Sequence, residues 1–128
     1  MLKLSNTIKV MVPTADNNGH AIDYLKLVQG VTKLVGGSTV YDAKGLWLSR
    51  GKMYKDSNKL VEFNTDSATA YEALTEVIGN IVGPLLHEGG QLAVWLQVNG
   101  TTFILDSDTG KDLIEVSKSL TKEVQGND

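Results

Sequence analysis

One short segment of this sequence combines residue types that recognise planar ligands. Trp47 and Arg50 lie close together, with Tyr41, Lys52 and Tyr54 nearby. An aromatic ring offers a stacking surface, and a guanidinium adds positive charge and planar hydrogen bonding. The segment therefore predicts ligand contacts from Trp47 and Arg50. The alternative is that Trp47 fills the core or an interface and that Arg50 is a solvated turn residue, because aromatic side chains dominate both kinds of burial.

Two loops rich in glycine and small polar residues are further candidates for ligand contact. Residues 13–20 are rich in turn-forming types, and several of them, such as Thr14, Asp16 and Asn17, have side chains that can form hydrogen bonds. Residues 36–39 resemble a phosphate cradle, but they leave a helix and enter a strand, whereas phosphate cradles usually lead into a helix N-terminus. A helix C-cap is the simpler interpretation, and a backbone anion nest is the alternative. The predicted ligand-binding residues of the two loops are Thr14, Asp16, Asn17, Gly37, Ser38 and Thr39.

Catalytic and metal-binding patterns are weak throughout the sequence. The two histidines, His20 and His87, are far apart in the chain, and we expect a surface or turn role for each. The acidic loop at residues 16–19 lacks the spaced ligands of a calcium site. No phosphate-binding loop or nucleophile elbow motif occurs. The sequence therefore predicts no catalytic residue, no metal and no cofactor.

Composition narrows the classes of partner. The 128 residues include no cysteine, so disulfides and thiolate zinc sites are excluded. The net charge is −3, and the 12 Lys and Arg residues are scattered, so we do not expect duplex nucleic acid to bind. The first residues are too polar for a signal peptide, and no apolar run reaches the ~20 residues of a membrane span. We therefore expect a cytoplasmic protein without membrane contact.

Hydrophobic spacing predicts eight elements in the order β-α-β-β-α-β-β-α. Asn99-Gly100 is a strong signal for a hairpin turn, and Gly36-Gly37 is a natural helix stop. The first predicted elements are a strand at 7–12, a helix at 21–35, a strand at 38–49 with a bulge or bend at 43–45, and a strand at 60–65. Residues 53–58 before that strand are either a connector or a continuation of the hairpin. The later elements are a helix from Asp66 or Ser67 that kinks or ends at 83–84, strands at 91–98 and 101–105, and a helix capped by Asp108 or Thr109 before a frayed tail at 125–128.

The first six elements match the ferredoxin-like split β-α-β motif. We therefore predict an α+β fold, with a ferredoxin-like β-α-β-β-α-β sheet and an extra C-terminal strand and helix, in a single domain over residues 1–128. The helices are expected to cover one face of the sheet. The other face carries Thr7, Lys9 and Met11, and it must meet water, the last helix or another subunit.

Three local motifs together resemble a protein family. They are Val12-Pro13-Thr14 at the end of a strand, Gly36-Gly37-Ser38-Thr39 at a helix exit, and Gly45-Leu46-Trp47 within a strand. The sequence resembles a group of bacterial and phage proteins with these motifs, similar in architecture to PII-like signal proteins. The resemblance covers the first half of the chain. It implies a compact homo-oligomer with ligand sites between subunits, such as the nucleotide sites of PII-type proteins.

These observations leave three functions open. The leading hypothesis is a non-enzymatic homo-oligomer that binds a small anionic or nucleotide-derived ligand as a sensor or sponge. A phage-encoded protein of this type would act in the host cytoplasm, where it could sequester an immune messenger. The second hypothesis is a structural or protein-interaction module in which Trp47 is buried against a partner. The third is a small phosphodiester-acting enzyme that uses His20 or His87 with Asp16.

Overall fold

The computed structural model describes residues 1–107 and 113–126 of the chain. Apolar residues that alternate along the strands and recur at helical spacing produce five strands and four α-helices in this part. The elements are β1 (Asn6–Pro13), α1 (Tyr24–Val35), β2 (Thr39–Ser49), β3 (Lys52–Thr65), α2 (Ser67–Val77), a π-helical turn (Ile78–Val82), α3 (Gly83–His87), β4 (Ala93–Val98), β5 (Thr101–Asp106), α4 (Leu113–Leu120) and a 3₁₀ turn (Thr121–Glu123).

The five strands form one antiparallel sheet in the order β2-β3-β1-β4-β5. Strand β1 lies between β3 and β4, which is the arrangement of a split β-α-β motif, and β5 extends the sheet beyond β4. The predicted mixed α+β class, the extra strand and the C-terminal helix are therefore confirmed.

The core lies between one face of the sheet and the helices. Ile8, Val10 and Val12 of β1 are fully buried, as are Val61 and Phe63 of the neighbouring β3. Apolar residues of α1, α2, the π-helical turn and α3 complete the same cluster. One face of the sheet therefore packs against the helices in the core, and the helices do not cover the opposite face, which we call the open face.

Two predicted boundaries at the start of elements were wrong. Helix α1 begins at Tyr24 rather than Ala21, because Asp23 caps it by accepting a hydrogen bond from the Lys26 backbone N–H, and Ala21 instead forms a β-bridge with Ala15. Strand β4 begins at Ala93 rather than residue 91. The periodic apolar pattern extends past the true element in both cases, so periodicity alone did not locate the cap.

The predicted bulge at residues 43–45 is absent. The β2–β3 register runs without interruption from Thr39↔Glu62 to Ser49↔Lys52. A Cβ atom at Gly45 would lie 3.2 Å from the Asn58 side-chain nitrogen, so the glycine admits a close neighbour on an otherwise regular strand. Residues 53–58 belong to β3 and continue the hairpin, which is one of the two predicted alternatives for this segment.

The second helix does not end at Gly83-Pro84. After α2, which Asp66 caps, the chain passes through the π-helical turn and continues into α3, with Pro84 in the first turn of α3. Pro84 follows directly on the π-helical turn, whose last bond runs from the Gly83 backbone N–H to the Ile78 carbonyl. The helical run therefore continues through Gly83-Pro84 instead of ending there.

The hairpin turn predicted at Asn99-Gly100 is present in the structure. The fraying predicted from residue 125 is not observed at that residue. Asn99 and Gly100 both have positive φ, as a type I′ hairpin turn requires. The predicted frayed tail is instead tied down at Gln125, whose backbone N–H donates to the buried Asn6 side chain at 2.8 Å. The predicted cap at residues 108–109 lies outside the described residues.

Candidate functional site

The β2–β3 hairpin projects beyond the rest of the sheet. Strand β1 pairs with β3 only from Asn58 onwards, so residues 44–57 form a two-stranded segment, which we call the ribbon. Its tip is an Arg50-Gly51 turn with φ values of 52° and 76°, again typical of type I′. Ribbon side chains are largely exposed on both faces, with Leu46, Leu48 and Met53 at 64%, 66% and 58%.

The ribbon holds the Trp47 indole ring in place. Trp47 pairs directly across the strands with Tyr54, and the two rings stack with centroids 4.5 Å apart and planes inclined by 17°. The indole Nε1–H also donates a hydrogen bond of 2.9 Å to Asp56 Oδ2. The Lys52 ammonium lies 5.3 Å from the Tyr54 ring centroid on the same strand face. Trp47 is thus held at an edge and on a face while 47% of its surface stays exposed.

A cavity of about 520 Å³ lies beside this indole ring. Three segments enclose it, namely the end of β1 with the loop that follows, the β3 half of the ribbon, and the entry to β4. Its volume falls within the range of small-molecule sites. The residues that line it are Pro13, Thr14, Ala15, Asp16, Asn17, Trp47, Lys55, Asp56, Ser57, Asn58, Gln91, Leu92 and Ala93.

Hydrogen bonds fix the loop that forms one wall. The Thr14 backbone N–H and hydroxyl both donate to the Ser57 carbonyl, at 3.0 and 3.1 Å. The Asn17 side-chain amide donates to the Gly90 carbonyl. These contacts join the β1 loop to the ribbon on one side and to the β4 entry on the other, so the cavity walls are connected without a ligand.

Asp16 organises the same loop. Its Oδ1 accepts hydrogen bonds from the backbone N–H groups of Asn18 and His20, each at 2.9 Å. The pKa of Asp16 is lowered chiefly by the bond from His20 N–H, and the Asn18 N–H and the His20 charge also lower it, while desolvation opposes them. The carboxylate is therefore ionised at neutral pH and can act as a fixed hydrogen-bond acceptor beside the cavity.

The charges along the cavity are mostly negative. Asp16 and Asp56 contribute carboxylates, and Lys55 contributes one ammonium group. The remaining polar lining consists of neutral amides and hydroxyls, including Asn17, Asn58 and Gln91. This environment can hydrogen-bond a polar heterocycle or sugar, and it is less suited to a group carrying several negative charges.

The structure brings together four of the eight residues predicted to bind a ligand. Thr14, Asp16, Asn17 and Trp47 line the cavity. Arg50 occupies the turn at the tip of the ribbon and is not among the lining residues. Hydrophobic periodicity in the sequence could not show whether Arg50 lines the cavity, because that depends on the position of the ribbon tip in the folded protein.

The remaining three predicted residues lie at the other end of the hairpin. Thr39 pairs with Glu62, in the half of β3 that joins the sheet. Ser38 shares a 2.9 Å hydrogen bond between its hydroxyl and that of Thr32. Gly37 follows Gly36, which has φ of 93° and caps α1. Residues 36–39 therefore form a helix C-cap, as the simpler interpretation proposed.

Sequence reasoning missed several lining residues, including Lys55, Asp56 and Asn58. Once the β2–β3 register is known, Asp56 is placed opposite Gly45 and on the strand face of Trp47. The sequence analysis assigned no cross-strand partners to residues 53–58, so it could not place these side chains beside Trp47.

Of the two histidines, only His20 approaches a predicted site residue. Its Nδ1 lies 3.3 Å from Asp16 Oδ2, and its side chain is 78% exposed. His87 is at the end of α3 and does not line the cavity. Both side chains are on the surface, as predicted. In residues 1–107 and 113–126, no group of three or more potential ligand side chains could hold a metal ion.

The open face of the sheet carries an apolar row that crosses the strands. Tyr41 pairs with Leu60, which also pairs with Met11. On the far side of the sheet, Trp95 pairs with Ile104. Tyr41 and Ile104 are 47% and 60% exposed. A polar row with the Lys9–Glu62 ion pair, 3.6 Å between charged atoms, runs beside it.

Comparisons with known proteins identify the fold. No family model and no curated protein sequence match the chain. A solved structure of a phage SAM lyase in complex with S-methyl-5′-thioadenosine is similar with a TM-score of 0.58, at 8% identity over 84% of this chain and 96% of the lyase chain. The same kind of lyase in the apo state gives 0.54, at 11% identity over the same shares.

A variant of CutA1 from Pyrococcus horikoshii OT3 gives a TM-score of 0.47, at 14% identity over 94% of this chain and 98% of CutA1. The lyase comparisons establish a shared fold alone. Within the described part of the chain, no helix combines the length and the apolar character needed to cross a membrane.

Proposed function

We propose that this protein binds a small nucleoside-type molecule in the cavity beside Trp47 and that it works as a homo-oligomer that senses or sequesters this ligand. The observation that carries the proposal is the fixed indole ring at the wall of a 520 Å³ cavity. A ring held by a stacking partner and a hydrogen bond loses little conformational entropy when a planar base stacks on its remaining surface.

The polar lining supports a nucleoside more than a polyphosphate. Asp16 and Asp56 repel phosphates, and Lys55 alone offers a positive charge among the lining residues. Carboxylates and amides readily accept hydrogen bonds from ribose hydroxyls and exocyclic amines. We therefore favour a neutral or cationic planar ligand over the small anionic or nucleotide-derived ligand of the leading hypothesis from the sequence. The lyase of similar fold was solved with S-methyl-5′-thioadenosine, which makes that compound the first probe.

The open face supports the oligomer. Its apolar row, defined by Tyr41, Leu60, Met11, Trp95 and Ile104, includes side chains whose exposure in an isolated chain is unfavourable. Packing this face against a second copy would bury the row and keep the polar row at its border. Ile104→Glu should therefore shift the mass measured by light scattering towards the monomer, while Thr102→Glu in the polar row should have a smaller effect.

Native mass spectrometry of protein purified gently from its expression host tests both parts. We expect a symmetric oligomer that carries a reproducible extra mass or gains one when S-methyl-5′-thioadenosine is added. Trp47→Ala should keep the oligomer and lose the extra mass. A bare oligomer that stays bare with S-methyl-5′-thioadenosine, SAM and a set of nucleotides would contradict ligand binding and favour an interaction module.

A small enzyme is the second candidate, because Asp16 and His20 lie within reach of each other at the edge of the cavity. A carboxylate that orients an imidazole is a common acid–base arrangement. This candidate predicts that the protein converts SAM or a cyclic dinucleotide to products detectable by mass spectrometry and that His20→Ala abolishes turnover. Activity that survives His20→Ala would remove this pair from the reaction.

A further inference from the structure

A second cavity, of about 570 Å³, lies between α1 and the helical run that ends in α3, and it shares no lining residue with the cavity beside Trp47. One wall is the start of α1, including Lys26, Leu27 and Gly30, and the other is the helical run through Pro84 to Glu88. We call it the helix groove. Leu27 and Pro84 contribute apolar surface above the buried Leu85, and the volume of the groove is typical of sites for drug-sized molecules.

Gly30 keeps the helix groove wide at a cost to helix stability. It lies inside α1, where glycine is less stable than alanine by about 1 kcal/mol. A Cβ atom at Gly30 would meet no other atom within 4 Å, so packing within this chain does not require the glycine. The missing side chain leaves room that an occupant can fill.

Charged groups at the border of the helix groove favour a cation. Asp23 and Glu88 contribute carboxylates and Lys26 one ammonium, and because Asp23 already caps the positive N-terminus of α1, Glu88 is the carboxylate left to meet a ligand. Glu88 is also the C-cap of α3, at the end of the helical run where backbone carbonyls already carry partial negative charge. Among the described residues, Lys26 and Glu88 form no ion pair. A protonated amine near Glu88 would relieve the repulsion between the carboxylate and the helix end.

We propose that the helix groove is a second small-molecule site, for a molecule with an apolar body and a protonated amine. The apolar body would lie against Leu27 and Leu85 over Gly30, and the amine would pair with Glu88. This site is separate from the cavity beside Trp47 and does not depend on the function proposed for it.

Protein NMR with tryptamine as the probe, and indole-3-acetate as its anionic counterpart, tests this proposal. We expect tryptamine to shift methyl signals of Leu27 and Leu85 in a saturable way, with about tenfold weaker binding of indole-3-acetate. Gly30→Leu fills the groove and should weaken tryptamine binding at least tenfold. Gly79→Leu is the matched control, because Gly79 is also a helical glycine with open space around it but does not line the groove.

Glu88→Gln should remove most of the preference for the amine while the protein stays folded. The proposal is overturned if tryptamine causes no saturable shifts at Leu27 and Leu85, or if it binds Gly30→Leu as well as wild type. It is also overturned if indole-3-acetate binds equally well, or if the shifts appear beside Trp47 instead. The interpretation of each of these outcomes does not depend on whether the cavity beside Trp47 binds a ligand.

Discussion

The two halves of strand β3 show how one element serves stability and function separately. Between Asn58 and Thr65 the strand pairs with β1, and as far as Glu62 it also pairs with β2, and its inward residues Val61 and Phe63 are fully buried. Between Lys52 and Ser57 it pairs with β2 alone, and both faces are exposed. The same hairpin register thus positions a core segment and a ligand-facing segment.

Because of this difference, we expect mutations in the two halves of β3 to have different effects, one on stability and the other on ligand binding. The inward side chains of the inner half, Val61 and Phe63, belong to the core cluster with the helices, so their loss leaves cavities there. Side chains of the ribbon contact one another, as Trp47, Tyr54 and Asp56 do, and they line the cavity. Changes in the inner half should therefore lower the free energy of unfolding, and changes in the ribbon should lower ligand affinity.

The largest expected effect is that of Phe63→Ala. Phe63 is fully buried, and removing its ring should lower the free energy of unfolding by about 3–5 kcal/mol. Urea denaturation followed by circular dichroism measures this change. Tyr54→Ala, in the exposed half of the same strand, is the control and should cost less than about 1 kcal/mol. If Phe63→Ala and Tyr54→Ala lowered the free energy of unfolding equally, the proposed difference between the two halves of β3 would be wrong.

A smaller loss is expected when the C-terminal segment is released from the sheet. Asn6 is fully buried, and its Oδ1 accepts hydrogen bonds from the Gln125 backbone N–H and from Asn99 Nδ2, at 2.8 and 2.9 Å. Asn6→Ala removes the acceptor of the Gln125 N–H and one of the two acceptors of the Asn99 amide, which keeps its bond to the Glu123 carbonyl, and this should cost about 1–3 kcal/mol. Hydrogen exchange should accelerate at Gln125. Asn18→Ala, in an exposed loop, is the control, and unchanged exchange at Gln125 would contradict the role of Asn6.

We expect Asp56→Ala to weaken ligand binding with little effect on the stability of the fold. It removes the acceptor of the Trp47 Nε1–H hydrogen bond and leaves the ring free to reorient. We expect a several-fold loss of affinity for S-methyl-5′-thioadenosine in calorimetry, and a change in the free energy of unfolding within about 0.5 kcal/mol. Lys44→Ala, on the opposite strand face of the ribbon, should change neither quantity. An Asp56→Ala protein with wild-type affinity would show that Trp47 needs no such support.

The smallest effect concerns acid stability. The folded-state pKa of Asp16 is below its ordinary value of 3.8, so the ionised carboxylate stabilises the fold above that pH. This contribution is lost as the pH falls below 3.8 and through the folded-state pKa. The Tm difference between wild type and Asp16→Asn should therefore be constant near neutral pH and shrink in acid. A difference that is the same in acid and at neutral pH would rule out a charge effect.

The sequence predicted the fold better than the site, for physical reasons. Strand alternation, the Asn99-Gly100 turn and the Gly36 helix stop are local signals, and each was observed. The path of the second helix through the π-helical turn depends on tertiary packing and could not be read from Gly83-Pro84.

The cavity was only partly predictable for a related reason. Thr14, Asp16 and Asn17 were identifiable because loop composition marks them, and Trp47 because of its type. Lys55, Asp56 and Gln91 join them only through the long β2–β3 register and the approach of the β4 entry. The helix groove had no sequence signal, since it arises where two helical faces fail to meet.

Calorimetric titration with S-methyl-5′-thioadenosine tests the central claim most directly. Wild-type protein and Trp95→Phe, which keeps Trp47 as the single tryptophan, should both bind, and in Trp95→Phe the remaining fluorescence should change on binding. Trp47→Ala should remain folded and lose at least tenfold in affinity, since stacking on an aromatic ring contributes about 1–3 kcal/mol per base. Wild-type affinity in Trp47→Ala, or binding that leaves the Trp47 fluorescence unchanged, would contradict a ligand site beside this indole ring.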